Sequence, residues 1–173
     1  MISVRAAKPE DVELLCTLGR RAFYEAFGEY NDPEDMQAYL DLSFNKEFIQ
    51  SQLEDKDVIF YIATYQGDAV GYSKLKKNSV PPELIDQRCI QLERIYALHA
   101  YIGKKVGQAL MEKCLKAARN EDYEWLWLGV WQQNERAINF YHKWKFKTIG
   151  VKKFKIGNQI TDDYVMALSL KPE

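Results

Sequence analysis

An uninterrupted apolar run followed directly by a capped helix pattern constrains this chain more than any other feature. Residues 125–130 are all apolar or glycine, which is typical of a strand buried on both faces. Asn134 is a favourable N-cap, because its side-chain oxygen can accept a hydrogen bond from a free amide of the first helical turn. The apolar positions that follow recur at helical spacing and are Ala137, Phe140, Tyr141 and Trp144. We therefore predict a buried strand that leads into an amphipathic helix.

Tyr141 is the chemically distinctive residue of this stripe. Its phenol lies at the edge of the stripe, in a helix that begins beside a strand end, and is therefore a candidate proton donor. The alternative is a core aromatic side chain like its neighbours. Periodicity alone does not separate the two interpretations.

The composition indicates one globular domain over residues 1–173. Hydrophobic residues make up 47% of the chain and charged residues 28%, with a net charge of -1 and a pI near 6.2. This balance excludes a global basic field for nucleic acid. The N-terminus lacks the long apolar core of a signal peptide, and no stretch reaches the length of a membrane span. We expect a cytoplasmic protein with neither nucleic acid nor membrane as a partner.

The cysteines and histidines argue against a metal site. Cys16, Cys89 and Cys114 are odd in number and widely spaced, which suits buried thiols in a reducing compartment better than disulfides. His99 and His142 are the only histidines, and none of the cysteines belongs to a CxxC pair. The sequence therefore predicts no bound metal.

Strand and helix patterns alternate along the chain and predict an α/β fold with a mixed sheet. A hairpin is predicted at residues 58–75 around the turn 66–68. Predicted strands otherwise cover residues 2–6, 90–98 and 125–130, with two more from residue 146 to 170 around Gly157 and Asn158. Helical patterns follow residue 8, and two short helices joined at residues 31–33 are predicted within 23–44. Further helices are predicted at 45–52, after residue 107, and from Asn134.

A glycine-bearing loop between the strand at 90–98 and the next helix is a candidate phosphate site. A helix N-terminus offers free amides and the positive end of the helix dipole. Gly103 and Gly107 would allow close approach of the backbone, and Lys104 and Lys105 could add positive charge. The alternative is an ordinary strand–helix turn.

The order strand, glycine loop, helix, strand, and Asn-x-x-Ala-x-x-Phe-Tyr helix resembles the GCN5-related N-acetyltransferase (GNAT) superfamily. The resemblance covers nearly the whole chain and is carried by residues 92–98, 103–110 and 134–146. Residues 127–131, with Phe23 and residues 31–33, resemble the bacterial spermidine/spermine acetyltransferase (PaiA-like) subgroup. The resemblance implies a mixed, mostly antiparallel twisted sheet, with a central splayed parallel strand pair and helices on both faces.

The resemblance also implies a site for acetyl-CoA as cosubstrate, between the strands at residues 93–98 and 125–130. The pantetheine would pair with the first strand, the pyrophosphate would lie on backbone amides at the helix start, and Asn134 would contact the pantetheine arm. Tyr141 would protonate the departing thiolate, and Lys143 would approach the phosphates. The cofactor-binding residues implied in this way are Ile95, Tyr96, Ala97, Leu98, Gly103, Lys104, Lys105, Val106, Gly107, Gln108, Ala109, Asn134, Tyr141 and Lys143.

The loop departs from the family pattern Gln/Arg-x-x-Gly-x-Gly/Ala. Those positions hold Ile102, Lys105 and Gly107, so only the last glycine is kept. Lys105 can donate its amide if its φ is negative, whereas a positive φ would strain it. We expect Gly103 to relieve this by shifting the turn, and cofactor binding to be retained.

The implied reaction is acetyl transfer from acetyl-CoA to a primary amine by direct attack on the thioester. A carboxylate could take the proton of the amine, and Glu93 is the candidate, because a Glu at this point serves as base in some relatives. The alternative is a surface strand Glu paired with a cation such as Arg94. A backbone amide near Ile95 or Tyr96 would hold the carbonyl oxygen.

The acceptor is expected to be a small polyamine such as spermidine or spermine. The subgroup resemblance implies it, and carboxylates and aromatic faces between residues 24 and 41 would attract a polycation. The alternative for this segment is a solvated acidic helix face with its aromatic side chains in the core. The candidate acceptor contacts are Tyr24, Glu29 and Tyr30. Two alternatives stay open, a protein or peptide α-amine acetyltransferase and a non-catalytic acyl-CoA-binding regulatory protein. A homodimer is also left open.

Overall fold

The computed structural model describes residues 1–172. The strands of this part of the chain are β1 (Ile2–Ala6), β2 (Val58–Tyr65), β3 (Asp68–Lys77), β4 (Cys89–Ala97), β5 (Trp125–Trp131), β6 (Lys147–Ile156) and β7 (Gln159–Ser169). The helices are α1 (Val12–Phe27), α2 (Pro33–Ser43), α3 (Lys46–Glu54), α4 (Val106–Asn120) and α5 (Glu135–Lys143). Every predicted strand has a counterpart here, and so does every predicted helix except the first of the two short helices within residues 23–44.

The described strands form one sheet in the order β1-β2-β3-β4-β5-β7-β6. Neighbouring strands are antiparallel except for β4 and β5, which run parallel. A parallel pair needs a crossover connection, and α4 lies in the segment that joins these two strands. The predicted mixed, mostly antiparallel sheet with a central parallel pair is confirmed.

Helices cover both faces of the sheet, as predicted. Side chains along β2 alternate between two cores, as the period of a strand requires. Phe60 and Ile62 pack with α1, α2 and α3, whereas Tyr61 and Ala63 pack with α4 and α5. The sheet therefore separates a layer of three helices from a layer of two.

Local sequence signals account for most element boundaries. The side chains of Asp32 and Asn45 cap α2 and α3 by accepting amide hydrogen bonds from their first turns. Gln66 and Gly67 have φ of 52° and 88°, and positive φ at both central residues is what a tight hairpin turn requires. The structure differs from the prediction at residues 23–44. The first of the two predicted short helices is the end of α1, which continues to Phe27.

None of the helices within residues 1–172 combines the length and the apolar character that crossing a membrane requires.

Candidate active site

A cleft of about 1000 Å³ opens where β4 and β5 separate. The parallel pairing ends where Gln91 faces Trp127, although both strands continue beyond this point. The walls of the cleft come from α1, β4, β5, β6 and β7, from the first turn of α4, and from α5. The splayed parallel pair expected from the sequence is therefore present and encloses this cleft.

A β-bulge at Glu93 marks the point of separation. Lys74 of β3 faces Arg94 and Leu75 faces Leu92, so Glu93 has no partner in β3. An extra residue of this kind bends its strand and increases the local twist. The bulge accounts for the divergence of β4 from β5.

Beyond the bulge, one edge of β4 carries backbone amides and carbonyls that form no hydrogen bonds with a neighbouring strand. The Leu98 amide donates to the carbonyl of Val70 at 2.8 Å, in the direction of β3. Because bonding directions alternate along a strand, Ala97 and Ile95 direct their amides and carbonyls toward the cleft. An extended ligand can pair with this edge as an additional strand would.

The first turn of α4 presents free amides to the cleft. The helix begins after Lys105, whose side chain provides no capping hydrogen bond. The amide of Ala109 is the first to bond back, to the Lys105 carbonyl at 3.1 Å. At this turn, five amides have no hydrogen-bond partner within residues 1–172, namely those of Gly103, Lys105, Val106, Gly107 and Gln108. Several free amides at the positive end of a helix dipole form an anion site.

Lys105 occupies the left-handed region, with φ of 69° and ψ of 17°. Gly103 also has a positive φ, of 84°. The expectation that Gly103 alone would relieve the turn is therefore wrong, because both residues adopt positive φ. A lysine in this region costs about 1 kcal/mol or more relative to glycine.

Asn134 and Tyr141 lie at the opposite wall, on α5. The side-chain oxygen of Asn134 accepts a hydrogen bond from the Ala137 amide at 3.2 Å, so the predicted cap is confirmed. The Tyr141 ring packs against Phe140 and Phe146, with centroids 5.5 Å and 5.7 Å away. Tyr141 is therefore a core side chain that also lines the cleft.

Burial raises the pKa of the Tyr141 phenol above its usual value. The phenol therefore stays protonated across the pH range of ordinary assays. A protonated hydroxyl in the cleft wall can donate a hydrogen bond or a proton to a ligand, which is the role expected of Tyr141.

Glu93 reaches the cleft, but its carboxylate is engaged. Its Oε2 lies 2.6 Å from the Nζ of Lys74, a buried lysine on β3. Burial acts to raise the pKa of Glu93, but the charge and hydrogen bond of Lys74 and the charge of Arg94 outweigh it, so the pKa is lowered. Lys74, rather than the expected Arg94, is the ion-pair partner. This pairing weakens Glu93 as a base.

Most of the cofactor residues expected from sequence line this cleft. Leu98 instead packs in the core beside α1, and Lys104 and Ala109 line an adjoining hollow that shares Lys105 and Gln108 with the cleft. The expected residues that the fold brings together are Ile95, Tyr96, Ala97, Gly103, Lys105, Val106, Gly107, Gln108, Asn134, Tyr141 and Lys143.

Of the expected acceptor contacts, the fold places one at the cleft. The Tyr30 ring meets that of Trp131 at a centroid distance of 5.0 Å, and both residues line the cleft. Tyr24 and Glu29 lie outside it, and Tyr24 packs beside Gly28.

Arg94 and Asp163 are among the charged residues that line the cleft and that were not assigned to it from sequence. Arg94 donates to the Tyr39 hydroxyl at 3.0 Å and lies over the Phe44 ring at 4.8 Å. Asp163 of β7 is buried, and burial raises its pKa to about 6. Asp163 could have been found only through the β5–β7 register, because Thr161, Asp162 and Asp163 together look like a polar surface segment.

Comparison with known proteins places the chain in a family. The profile of the Acetyltransferase (GNAT) family matches residues 17–146, and the chain belongs to that family. An uncharacterized N-acetyltransferase of Mycobacterium tuberculosis (strain ATCC 25618 / H37Rv) is 31% identical over 160 residues, covering 92% of this chain and 98% of the relative. The Spermidine N(1)-acetyltransferase of Thermoplasma acidophilum is 23% identical over 150 residues, covering 84% and 88%.

The fold is also that of solved acetyltransferase structures. The PaiA N-acetyltransferase from Thermoplasma acidophilum in complex with coenzyme A superposes with a TM-score of 0.75. The identity is 21%, and the match covers 98% of this chain and 99% of that one. The chain is an acetyl-CoA-dependent N-acetyltransferase of the GNAT type, acting on an amine of a small molecule or peptide. Residues 1–172 contain no cluster of three or more metal-ligating side chains.

Proposed function

We propose that this chain transfers the acetyl group of acetyl-CoA to a primary amine of a small polyamine, such as spermidine or spermine. The observation that carries the proposal is one cleft with two unlike ends. Free amides of α4 and the Tyr141 phenol form one end, on the sheet face that carries α4 and α5. The Tyr30–Trp131 aromatic pair and the Asp163 carboxylate form the other end, on the opposite face. The first end suits a phosphorylated thioester and the second suits a cationic amine.

The cofactor-binding roles follow from the elements that line the cleft. The free edge of β4 at Ile95 and Ala97 supports backbone pairing with the pantetheine, with Tyr96 and Leu98 adjacent on the same strand. Asn134 retains a free side-chain amide group, because its cap uses only the oxygen. Lys143, at the end of α5, supplies positive charge at the rim. The free amides between Gly103 and Gln108 support binding of the pyrophosphate, beside Lys104 and Ala109.

The chemistry needs a neutral amine, a polarised carbonyl and a protonated leaving group. The amine nitrogen bonds to the thioester carbonyl carbon, while the amide of Ile95 stabilises the carbonyl oxygen. The carbon–sulfur bond then breaks, and Tyr141 gives its proton to the thiolate. Glu93 stays a candidate for taking the proton of the amine, although its pairing with Lys74 weighs against it.

Support for a polyamine comes from the chemistry of the acceptor end. Two aromatic rings and a carboxylate match an ammonium group on an aliphatic chain. The name of the Thermoplasma acidophilum relative includes spermidine. Two cations of the cleft, Arg94 and Lys152, would instead favour an acceptor with a carbonyl or carboxylate near its amine. A peptide α-amine is for this reason the second candidate.

A thiol-release assay with acetyl-CoA tests the proposal. Spermidine, spermine, simple aliphatic amines and short peptides are supplied in parallel, and acetylated products are identified by mass spectrometry. We expect turnover with spermidine or spermine to exceed that with every peptide. Faster turnover of a peptide than of a polyamine would contradict the polyamine proposal and favour a peptide acceptor. Tight acetyl-CoA binding without turnover of any amine would support the non-catalytic regulatory alternative.

We further propose that the protein works in the cytoplasm as a single domain, without nucleic acid as a partner, and that it forms a homodimer. Light scattering on the purified chain measures the oligomeric state, and a monomer at micromolar concentration would contradict the dimer.

A further inference from the structure

Asp163 is a buried acid at the acceptor end of the cleft, and none of the roles above uses it. The residue is only 7% exposed. Its Oδ1 has no hydrogen-bond partner among residues 1–172, and no salt bridge of this part of the chain engages the carboxylate. A buried carboxylate without a partner is unfavourable, and a ligand that carries a hydrogen-bond donor would satisfy it.

The sheet register places Asp163 on the acceptor face. Asp163 of β7 pairs with Trp131 of β5, and Val165 pairs with Gly129. Residues directly opposite in an antiparallel pair point to the same face. The next residue, Tyr164, belongs to the core on the other face, where Tyr141 also packs. Asp163 and Tyr141 therefore approach the cleft from opposite faces of the sheet.

Gly129 leaves space beside the carboxylate. It lies between Trp127 and Trp131 on the same face of β5, where a side chain would otherwise stand. A Cβ at Gly129 would lie 3.5 Å from Asp163 Oδ2 and 3.2 Å from the Lys152 side chain. The absent side chain therefore makes room for both the Lys152 side chain and the Asp163 carboxylate, and the acid lines the cleft at this point.

The positive charge of Lys152 acts on Asp163, but no salt bridge within residues 1–172 pairs the carboxylate with a cation. Lys152 faces it from β6 in the strand register, but the Lys152 ammonium lies over the Trp127 ring at 5.5 Å. Asp162 precedes it on β7 and pairs with Lys153. Trp131, the β5 residue opposite, and Gly129, two positions along β5, carry no charge. The site keeps an available negative charge between aromatic rings.

We propose that the Asp163 carboxylate receives the ammonium group of the acceptor and takes its proton as the amine attacks the thioester. This inference rests on the proposed acetyl transfer. The acceptor arrives as R–NH₃⁺, and Asp163 takes one of its protons to give the neutral amine. The nitrogen forms its bond to the carbonyl carbon and gives its second proton to solvent. The carbon–sulfur bond breaks, and the thiolate takes a proton from Tyr141. Tyr141 then recovers a proton from solvent and Asp163 releases one to solvent, so that the net products are the amide, the free thiol and one proton.

Asp163→Asn tests the proposal, with Asp162→Asn as the matched control. Both variants remove one negative charge from adjacent positions of β7, but Asp162 is exposed. We expect Asp163→Asn to lower kcat/KM for the amine about 100-fold, through both KM and kcat, because it loses a charged hydrogen bond and a base. The affinity for acetyl-CoA should not change in either variant. Asp162→Asn should keep the wild-type kcat/KM.

The pH profile separates a proton acceptor from a merely structural acid. The raised pKa of Asp163, about 6, predicts that wild-type kcat/KM rises through pH 6 and then levels off. In Asp163→Asn, kcat/KM should show no change of slope near pH 6. It should instead continue to rise with pH toward the pKa of the amine, because only the neutral amine can then react. An unchanged profile, or an equal loss in Asp162→Asn, would overturn the proposal.

Thermal unfolding checks that the variant is folded. The pKa of Asp163 is higher in the folded protein than its ordinary value of 3.8, so the ionised side chain lowers stability above pH 6. Asp163→Asn should therefore melt at a higher temperature than wild type at pH 8, with no difference at pH 3. The same kinetic measurements are repeated with Asp163→Ser, which has a smaller neutral side chain. A wild-type rate in either folded variant contradicts the proposal.

The wild-type assay distinguishes the two levels of inference. If wild type releases no thiol with any amine, the proposed acetyl transfer fails, and the role of Asp163 fails with it. If wild type turns over and Asp163→Asn behaves like Asp162→Asn, only the role of Asp163 is wrong.

Discussion

The helices α4 and α5 both begin at the cleft, yet their first turns are completed in opposite ways. Asn134 caps α5 with its own side chain, at 3.2 Å from the Ala137 amide. The start of α4 has no side-chain cap, and Lys105 precedes it in a left-handed conformation. The orphan amides of a helix start need a partner. The chain supplies that partner for α5 and leaves it to a ligand for α4.

This difference separates binding from chemistry. The uncapped start of α4 provides an anion site whose strength depends on charge and backbone geometry. The capped α5 is a rigid element that positions a buried phenol, Tyr141, against Phe146. Substitutions in α4 should therefore change the affinity for acetyl-CoA, whereas substitutions at Tyr141 should change the rate.

Tyr141→Phe should have the largest effect. It removes the proton donor and keeps the ring that packs in the core, so kcat should fall about 100-fold while acetyl-CoA affinity is preserved. Steady-state kinetics and calorimetric titration of acetyl-CoA measure the two quantities. Tyr123→Phe, which removes the hydroxyl of a buried tyrosine outside the cleft, is the control. A wild-type kcat in Tyr141→Phe would remove the phenol from the mechanism.

Lys105→Glu should come next and should act on binding. It replaces a positive charge by a negative one before the free amides of α4. The local charge near the phosphates changes by two units, so the affinity for coenzyme A should fall about tenfold. Added salt should shrink the effect, because the position is exposed. Lys116→Glu, farther along the same helix, makes the same change in net charge and should bind normally. Equal weakening by both variants would indicate a general charge effect instead of a site.

Asn134→Ala should have a smaller effect, on stability. Loss of the cap should cost about 1 kcal/mol, which lowers the melting temperature by about 2 to 4 °C in a chain of this size. Asn134→Ser retains an oxygen for the cap but lacks the amide group proposed to contact the pantetheine. If Ser restores stability without restoring acetyl-CoA affinity, the two functions of Asn134 are separate. If Ser restores both, the side-chain amide has no role in binding.

The parts of the site that could be predicted are those encoded by local patterns. The Asn134 cap, the stripe that contains Tyr141 and the turn at Gln66 and Gly67 each depend on neighbouring residues. The family resemblance then placed Ile95 and Ala97 beside the pantetheine. The free backbone edge of β4 is consistent with that placement.

The parts that could not be predicted depend on pairing between distant strands. The bulge at Glu93 exists only relative to β3, and its partner Lys74 is brought to it by that same register. Asp163 becomes buried only because β7 pairs with β5 beside Trp131. In the sequence, Asp163 follows another polar residue and looks like the solvent-exposed side of an edge strand.

Lys105→Gly should have the smallest effect and bears directly on the uncapped helix. Glycine removes the steric cost of the positive φ at this position, 69°, but it also increases the freedom of the unfolded chain. The net gain in stability should be about 0.5 kcal/mol, and Lys105→Ala, which keeps a Cβ, should show none. Chemical denaturation measures both variants. Because glycine keeps the backbone amide but loses the ammonium, coenzyme A affinity should fall equally in the two. A further loss in Lys105→Gly alone would show that the rigidity of the turn, as well as its charge, prepares α4 for the ligand.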